Sequence, residues 1–224
     1  GPSGLAEDST TKKLFISDDY NNIYSKALSD ASNDINVVAD GFSNPNALYF
    51  NDSDDSLYIA EEGNGQISLI DPSSATPSVI PVETGLSGPQ AVAIDETNSK
   101  LYSTDYGYEI YGTDLDTWSP LANFPASTFT AGWTEGGLVV NSAGTYLYAS
   151  DSQTGEIFKI DTTTGASTVL LDFANSSTDT SFRASGLALT PDNSKLFISG
   201  PTSIIEYDFT SGTSYEFANN TDGL

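Results

Sequence analysis

Four carboxylates recur at one place in this chain. Asp18 ends Leu14-Phe15-Ile16-Ser17-Asp18, and Glu61 ends Leu57-Tyr58-Ile59-Ala60-Glu61. Asp105 ends Leu101-Tyr102-Ser103-Thr104-Asp105, and Asp151 ends Leu147-Tyr148-Ala149-Ser150-Asp151. Carboxylate, amide and backbone oxygens are hard donors that suit Ca²⁺ or Mg²⁺. With Asn46 and Glu135 added, the candidate metal ligands are Asn46, Glu61, Asp105, Glu135, Asp151 and Asp18, and Ca²⁺ is the expected ion. A second reading is that these are solvated turn carboxylates, repeated because the motif repeats. The chain has no Cys and no His. Thiol catalysis, Ser-His-Asp catalysis, disulfides and the usual zinc or iron–sulfur ligands are therefore excluded.

Aromatic side chains form a second candidate site. The stretch from Trp118 to Gly136 carries Trp118, Phe124, Phe129 and Trp133, with Tyr106 and Tyr108 close before it. Rings in a long loop can stack on a sugar or a peptide, and long loops in a tight repeat often carry binding. The second reading is that the same rings are core between structural units, the commoner role of aromatics at such positions. Arg183 is the only arginine. Its fork can hold a ligand carboxylate, or it can neutralise an acidic surface through ion pairs. The expected ligand-binding set is Trp118, Phe129, Trp133, Glu135, Arg183, Tyr106 and Tyr108. No catalytic residue stands out.

Charge narrows the partners. The 224 residues hold 31 acidic and 7 basic side chains, a formal net charge of −24. That field repels phosphate backbones and anionic membrane surfaces, so nucleic acid is not an expected partner. No apolar stretch is long enough to span a bilayer as a helix, so membrane insertion is not expected. A composition rich in Ser, Thr, Asn and Asp with few Lys points to an extracellular or cell-surface setting.

The elements that must position these residues follow from an internal repeat. Leu14, Leu57, Leu101, Leu147 and Leu196 anchor five copies of one motif, spaced 43, 44, 46 and 49 residues apart. Each copy divides into four short alternating runs, A to D, with polar turns between them. Run A is small and apolar, as in Ala91-Val92-Ala93-Ile94. Run B is the motif itself, and run C resembles Glu156-Ile157-Phe158-Lys159-Ile160-Asp161. Run D includes Pro81, a residue tolerated on an edge strand. This period is that of a four-stranded propeller blade. The expected fold is all-β: one five-bladed β-propeller spanning residues 1–224. Its blades fall near 1–41, 42–85, 86–130, 131–180 and 181–224, with no strand exchanged between the first and last. A closed ring is expected, the alternative being five blades taken from a longer array. The run Asn51-Asp52-Ser53-Asp54-Asp55 lacks the Gly and closing Glu of a calcium loop and reads as an A–B turn.

The unit running from Gly41-Phe42-Ser43-Asn44-Pro45-Asn46-Ala47 to Asp71, and again from Gly85 to Asp116, resembles the NHL, YWTD and gluconolactonase-like propellers. The likeness covers nearly the whole chain and implies fold far more than function. Gluconolactonase-like members are similar in placing a divalent metal at the run A entrances, where Asn46 matches and Glu135 stands near. No Asp occupies such an entrance here.

The leading expectation is a non-catalytic extracellular recognition or scaffold propeller with a protein or glycan partner. A divalent-metal lactonase or esterase, and a self-assembling surface or filament subunit, are the alternatives.

Overall fold

The computed structural model describes residues 1–32, 34–106, 109–124, 126–127, 136–173 and 182–219. It is an all-β, five-bladed propeller in which each blade is an antiparallel sheet with its strands in sequence order. Blade 1 holds β1 (Pro2–Asp8), β2 (Lys13–Asp18), β3 (Asn22–Ala27) and β4 (Asn36–Asp40). Blade 2 holds β5 (Pro45–Asn51), β6 (Ser56–Glu61), β7 (Gln66–Ile70) and β8 (Ile80–Thr84). Blade 3 holds β9 (Ala91–Asp95), β10 (Lys100–Thr104) and β11 (Glu109–Asp114), with an outer strand in two pieces, β12 (Ser119–Pro120) and β13 (Ala126–Ser127). Blade 4 holds β14 (Leu138–Val140), β15 (Tyr146–Ser150), β16 (Glu156–Asp161) and β17 (Ser167–Asp172). Blade 5 holds β18 (Leu187–Leu189), β19 (Lys195–Ser199), β20 (Ser203–Asp208) and β21 (Thr213–Asn219). Among the described residues no strand is shared between blades 1 and 5.

The repeat explains this regularity. The A–B turn begins in four blades with an acceptor that caps the turn. Asp8 takes the N–H of Thr11 at 2.8 Å, Asn51 that of Ser53 at 3.0 Å, Asp95 that of Asn98 at 3.1 Å, and Asn141 that of Thr145 at 2.8 Å. Short polar side chains that bond the backbone two to four residues on are what such turns select. The Asn51-to-Asp55 run is one of these turns, with Asp55 at φ 57°. The inner strands lie so close that a Cβ on Gly4 would meet the Asn46 carbonyl of the next blade, and one on Gly137 the Leu187 amide. Small residues at these entrances are therefore obligatory.

The core is inter-blade. Strand B sends one face to the preceding blade and the other to the following blade. Phe15 and Ile23 of blade 1 pack with Leu48, Leu57 and Ile59 of blade 2. Tyr58 and Ile67 of blade 2 pack with Val92 and Leu101 of blade 3. The pattern repeats with Tyr102 and Ile110 against Leu138 and Leu147, and with Tyr148 and Ile157 against Leu196 and Ile198.

Candidate functional site

Antiparallel pairing places each run A entrance beside the exit of run B, so five entrances and five exits share one mouth of the channel. A recess of about 500 Å³ opens there, lined by Ser3, Asn46, Glu62, Gln90, Tyr106 and Ser185, with Gly136, Gly186 and Ser199. All five blades contribute. Asn46 donates to Glu62 at 2.8 Å and to Gln90 at 3.2 Å. Tyr106 reaches from blade 3 to the other Glu62 oxygen at 3.1 Å, and Asn44 donates to the same carboxylate. Its ring lies against Gly88, whose φ of +73° and missing side chain leave room for it. The mouth is thus a cross-blade network of amides and a phenol centred on one carboxylate.

Glu62 at a run B exit and Gln90 at a run A entrance are both expected at this mouth from sequence, yet neither stands in the candidate ligand sets. The signal for Glu62 was its place immediately after Glu61. That doubling occurs also at Asp18 and Asp19, though of the two second residues Glu62 alone lines the recess. Asp19 is exposed and accepts the Ser3 hydroxyl at 2.9 Å. The Gly1 amino group and the Ser3 hydroxyl hold the Asp19 carboxyl below the ordinary carboxylate range.

The strand-end carboxylates face elsewhere. Glu61 is 1% exposed. One of its oxygens accepts the Ser43 N–H at 3.0 Å and Asn64 at 2.8 Å; the other accepts Gln66 at 2.8 Å and the Ser68 hydroxyl. Asp105, also buried, accepts the Ser87 N–H at 3.0 Å in the matching position of blade 3. Asp18 takes the N–H groups of Tyr20 at 2.9 Å and Asn22 at 3.0 Å, and the Tyr24 hydroxyl at 3.0 Å. Asp151 takes Gln153 and Thr154 N–H groups at 2.8 and 3.1 Å, and its second oxygen is buried with no partner among the described residues. Such carboxylates staple the connection before strand A and the B–C turn to the end of strand B. Among the described residues no group of three or more Asp or Glu is placed to hold a metal ion. Of the candidate ligands, only Asn46 lines the recess, and Glu135 lies outside the described residues.

The aromatic candidates do not assemble. Trp118 sits in the C–D turn of blade 3 at φ 56° and 47% exposed, at the end of the blade away from the mouth. Tyr106 is in the B–C turn, at the mouth. Phe124 is core, 5.2 Å from Tyr102. Tyr108, Phe129 and Trp133 lie outside the described residues. Arg183 is exposed, and its guanidinium donates to the Gln153 carbonyl. At the far end the channel widens to about 530 Å³ between strands A of blades 2 to 5, with Val139, Leu187 and Leu189 on its walls and Glu96, Asn141 and Asn193 at its rim.

Comparison with known proteins gives architecture alone. No family model and no curated protein matches the chain. Among solved structures, 1503 chains match, a breadth that fits many functions. One is a chain of the nidogen–laminin complex, similar at 15% identity with a TM-score of 0.79, over 99% of this chain and 81% of that one. At that identity the likeness shows the fold.

Proposed function

We propose that this propeller is a non-catalytic recognition module that docks a protein partner, outside the cell, on the mouth built around Glu62. One observation carries the reading: Asn44, Asn46 and Tyr106, from two blades, converge on that carboxylate in an open recess, and Gln90 accepts from Asn46 beside it. Hydrogen bonds among these groups hold them before any ligand arrives, which lowers the cost of binding. A carboxylate ringed by amide groups, on a molecule of charge −24, suits a donor-rich basic segment. The solved nidogen–laminin complex, in which a similar fold meets a protein, is compatible with such a role.

The metal-dependent hydrolase reading has less support. It needs free carboxylate oxygens around the axis, and those of Glu61 and Asp18 already accept protein donors.

The test is selection of displayed peptides against the immobilised chain, scored against a Glu62→Gln, Gln90→Ala variant. Binders rich in Lys or Arg are expected. Their affinity should drop about tenfold or more on the variant and fall with added salt. Binders that hold equally to both proteins would remove the mouth as the site.

A further inference from the structure

Equivalent positions in the five blades are buried unequally, and the inequality has a pattern. Leu57, Leu101, Leu147 and Leu196 are 0% exposed, and so are Ile59, Ser103, Ala149 and Ile198. Their counterparts in blade 1, Leu14 and Ile16, are only half-buried. Leu5 pairs with Ile16 as Leu48 pairs with Ile59, Val92 with Ser103 and Leu138 with Ala149. Leu48, Val92 and Leu138 are 6–7% exposed, whereas Leu5 is 61% exposed. These residues form the face that each blade turns to the preceding one.

The opposite face shows the same gap in blade 5. Phe15, Tyr58, Tyr102 and Tyr148 are at most 5% exposed, and Ile23, Ile67, Ile110 and Ile157 are 0% exposed. Phe197 and Ile204, in the equivalent register, are half-buried. Beside them Tyr215 and Phe217 are 49% and 56% exposed, with Phe217 edge-on to Phe197 at 5.0 Å. Four apolar clusters join blades 1–2, 2–3, 3–4 and 4–5; among the described residues none joins 5 to 1. The inner strands touch as β1–β5, β5–β9, β9–β14 and β14–β18, with no comparable contact from β18 to β1.

We propose that a sixth four-stranded blade, one further repeat of the same polypeptide, seats in this seam. The two uncovered faces are of opposite kinds. Blade 1 offers the Leu/Ile face that elsewhere receives a Phe or Tyr, and blade 5 offers the Phe face that elsewhere meets a Leu/Ile face. One blade carries both complements, so a single unit covers both, continuing the interface already built four times. Exposed apolar area of this extent on a soluble domain marks a contact surface. Of the solved chain that overlays this one, about a fifth of the length lies outside the match.

The experiment joins a copy of residues 43–86 after Leu224, in the phase of the existing repeats, and compares it with the 224-residue chain. Three readouts are followed: amide exchange at 14–17 and 197–199, binding of an apolar dye, and the thermal midpoint. With the copy, exchange at both segments should slow at least about tenfold, dye binding should fall, and the midpoint should rise by about 10 °C. A control copy carrying Leu57→Asp, Tyr58→Asp and Ile59→Asp should give none of this. Equal results from copy and control overturn the proposal. So does a 224-residue chain that self-associates in sedimentation with both segments protected, since a second molecule would then be the occupant. If the fusion does not fold, Leu5→Lys with Phe217→Lys in the 224-residue chain decides. An unchanged midpoint supports an uncovered seam, and a fall of more than about 5 °C overturns it by showing that the two faces already pack together.

Discussion

Ser43 donates its backbone N–H to the Glu61 carboxylate at 3.0 Å, tying the connection ahead of strand A to the end of strand B in the same blade. Ser87 and Asp105 repeat the bond at 3.0 Å one blade on. A charge buried this deeply persists because every oxygen has donors. Replacing Glu61 by Ala leaves the Ser43 N–H and the Asn64, Gln66 and Ser68 donors without their acceptor. Glu61→Ala is expected to cost about 3 kcal/mol in urea unfolding. Glu61→Gln is expected to cost less, since one acceptor remains. A loss near zero for Ala would mean that the carboxylate does not hold the connection.

The same bonds bear on the calcium reading. The carboxylates at the strand B ends are committed to protein donors, and the recess itself contains one, Glu62. A single carboxylate with neutral amides binds Ca²⁺ weakly, because affinity follows the number of charged ligands. Millimolar calcium is expected to leave the thermal midpoint of the chain unmoved. A stoichiometric rise in calorimetric titration would refute this and return Asp151, with its unpartnered buried oxygen, to consideration.

How much was legible in the sequence differs between the scaffold and the site. The five leucines from Leu14 to Leu196 sit in register in five sheets, because alternation and turn chemistry act within one blade and each repeat states them in full. The interrupted outer strand of blade 3 was not legible: Ser119–Pro120 and Ala126–Ser127 are too short to carry a period. The site was read less well. Residues at a shared mouth come from different blades, and their side-chain directions depend on which of two adjacent acids turns inward. Glu61 turns into its own blade, while Glu62 turns to the axis and meets Tyr106. Trp118 was read with Tyr106 because they are near in sequence, yet strand C carries the chain to the other end of the blade between them.

Leucine truncation measures how far each blade face is covered. Leu101 is fully buried between blades 2 and 3, and Leu14 is half-buried on the outer face of blade 1. Leu101→Ala removes transfer energy and leaves a cavity, at about 3 kcal/mol; Leu14→Ala should cost about 1 kcal/mol. Denaturant midpoints of both variants check the ratio. Equal losses would mean that Leu14 is covered as well as its counterpart.

Glu83 gives a pH-dependent test of one blade junction. It reaches from β8 to blade 3, where Thr113 donates at 2.8 Å and Ser103 at 2.5 Å. Burial pushes its carboxyl above the ordinary 4.5, more than these two bonds lower it. A carboxyl with a raised folded value contributes stability that is fully present below the unfolded value and is lost as pH rises through the folded one. Glu83→Gln removes that loss. The variant is expected to melt higher than the wild type at pH 7, with the difference closing below pH 4.5. A variant that melts lower at both would show that the charged form is the one the site holds.

The whole molecule should respond to pH with a maximum well below neutrality. At pH 7 a net charge of −24 makes the compact state repel itself. Lowering the pH toward the isoelectric point near 4.1 relieves this. A second effect then takes over. Turn aspartates such as Asp8, Asp71, Asp161, Asp192 and Asp208 have folded values below the ordinary 3.8, Asp192 at about 2, where they accept turn N–H groups and nearby hydroxyls. For Asp8, as for the exposed ones, these bonds outweigh the upward pull of desolvation. A lowered folded value means stability that is present above 3.8 and lost as pH falls through the folded value. The thermal midpoint should therefore rise from pH 7 to a maximum near pH 4–5 and drop steeply below it. Salt should raise the midpoint at pH 7 by screening and change it little at the maximum. A midpoint that climbs steadily to pH 7 in low salt would mean that the surface charge is already neutralised, by bound cations or by a partner.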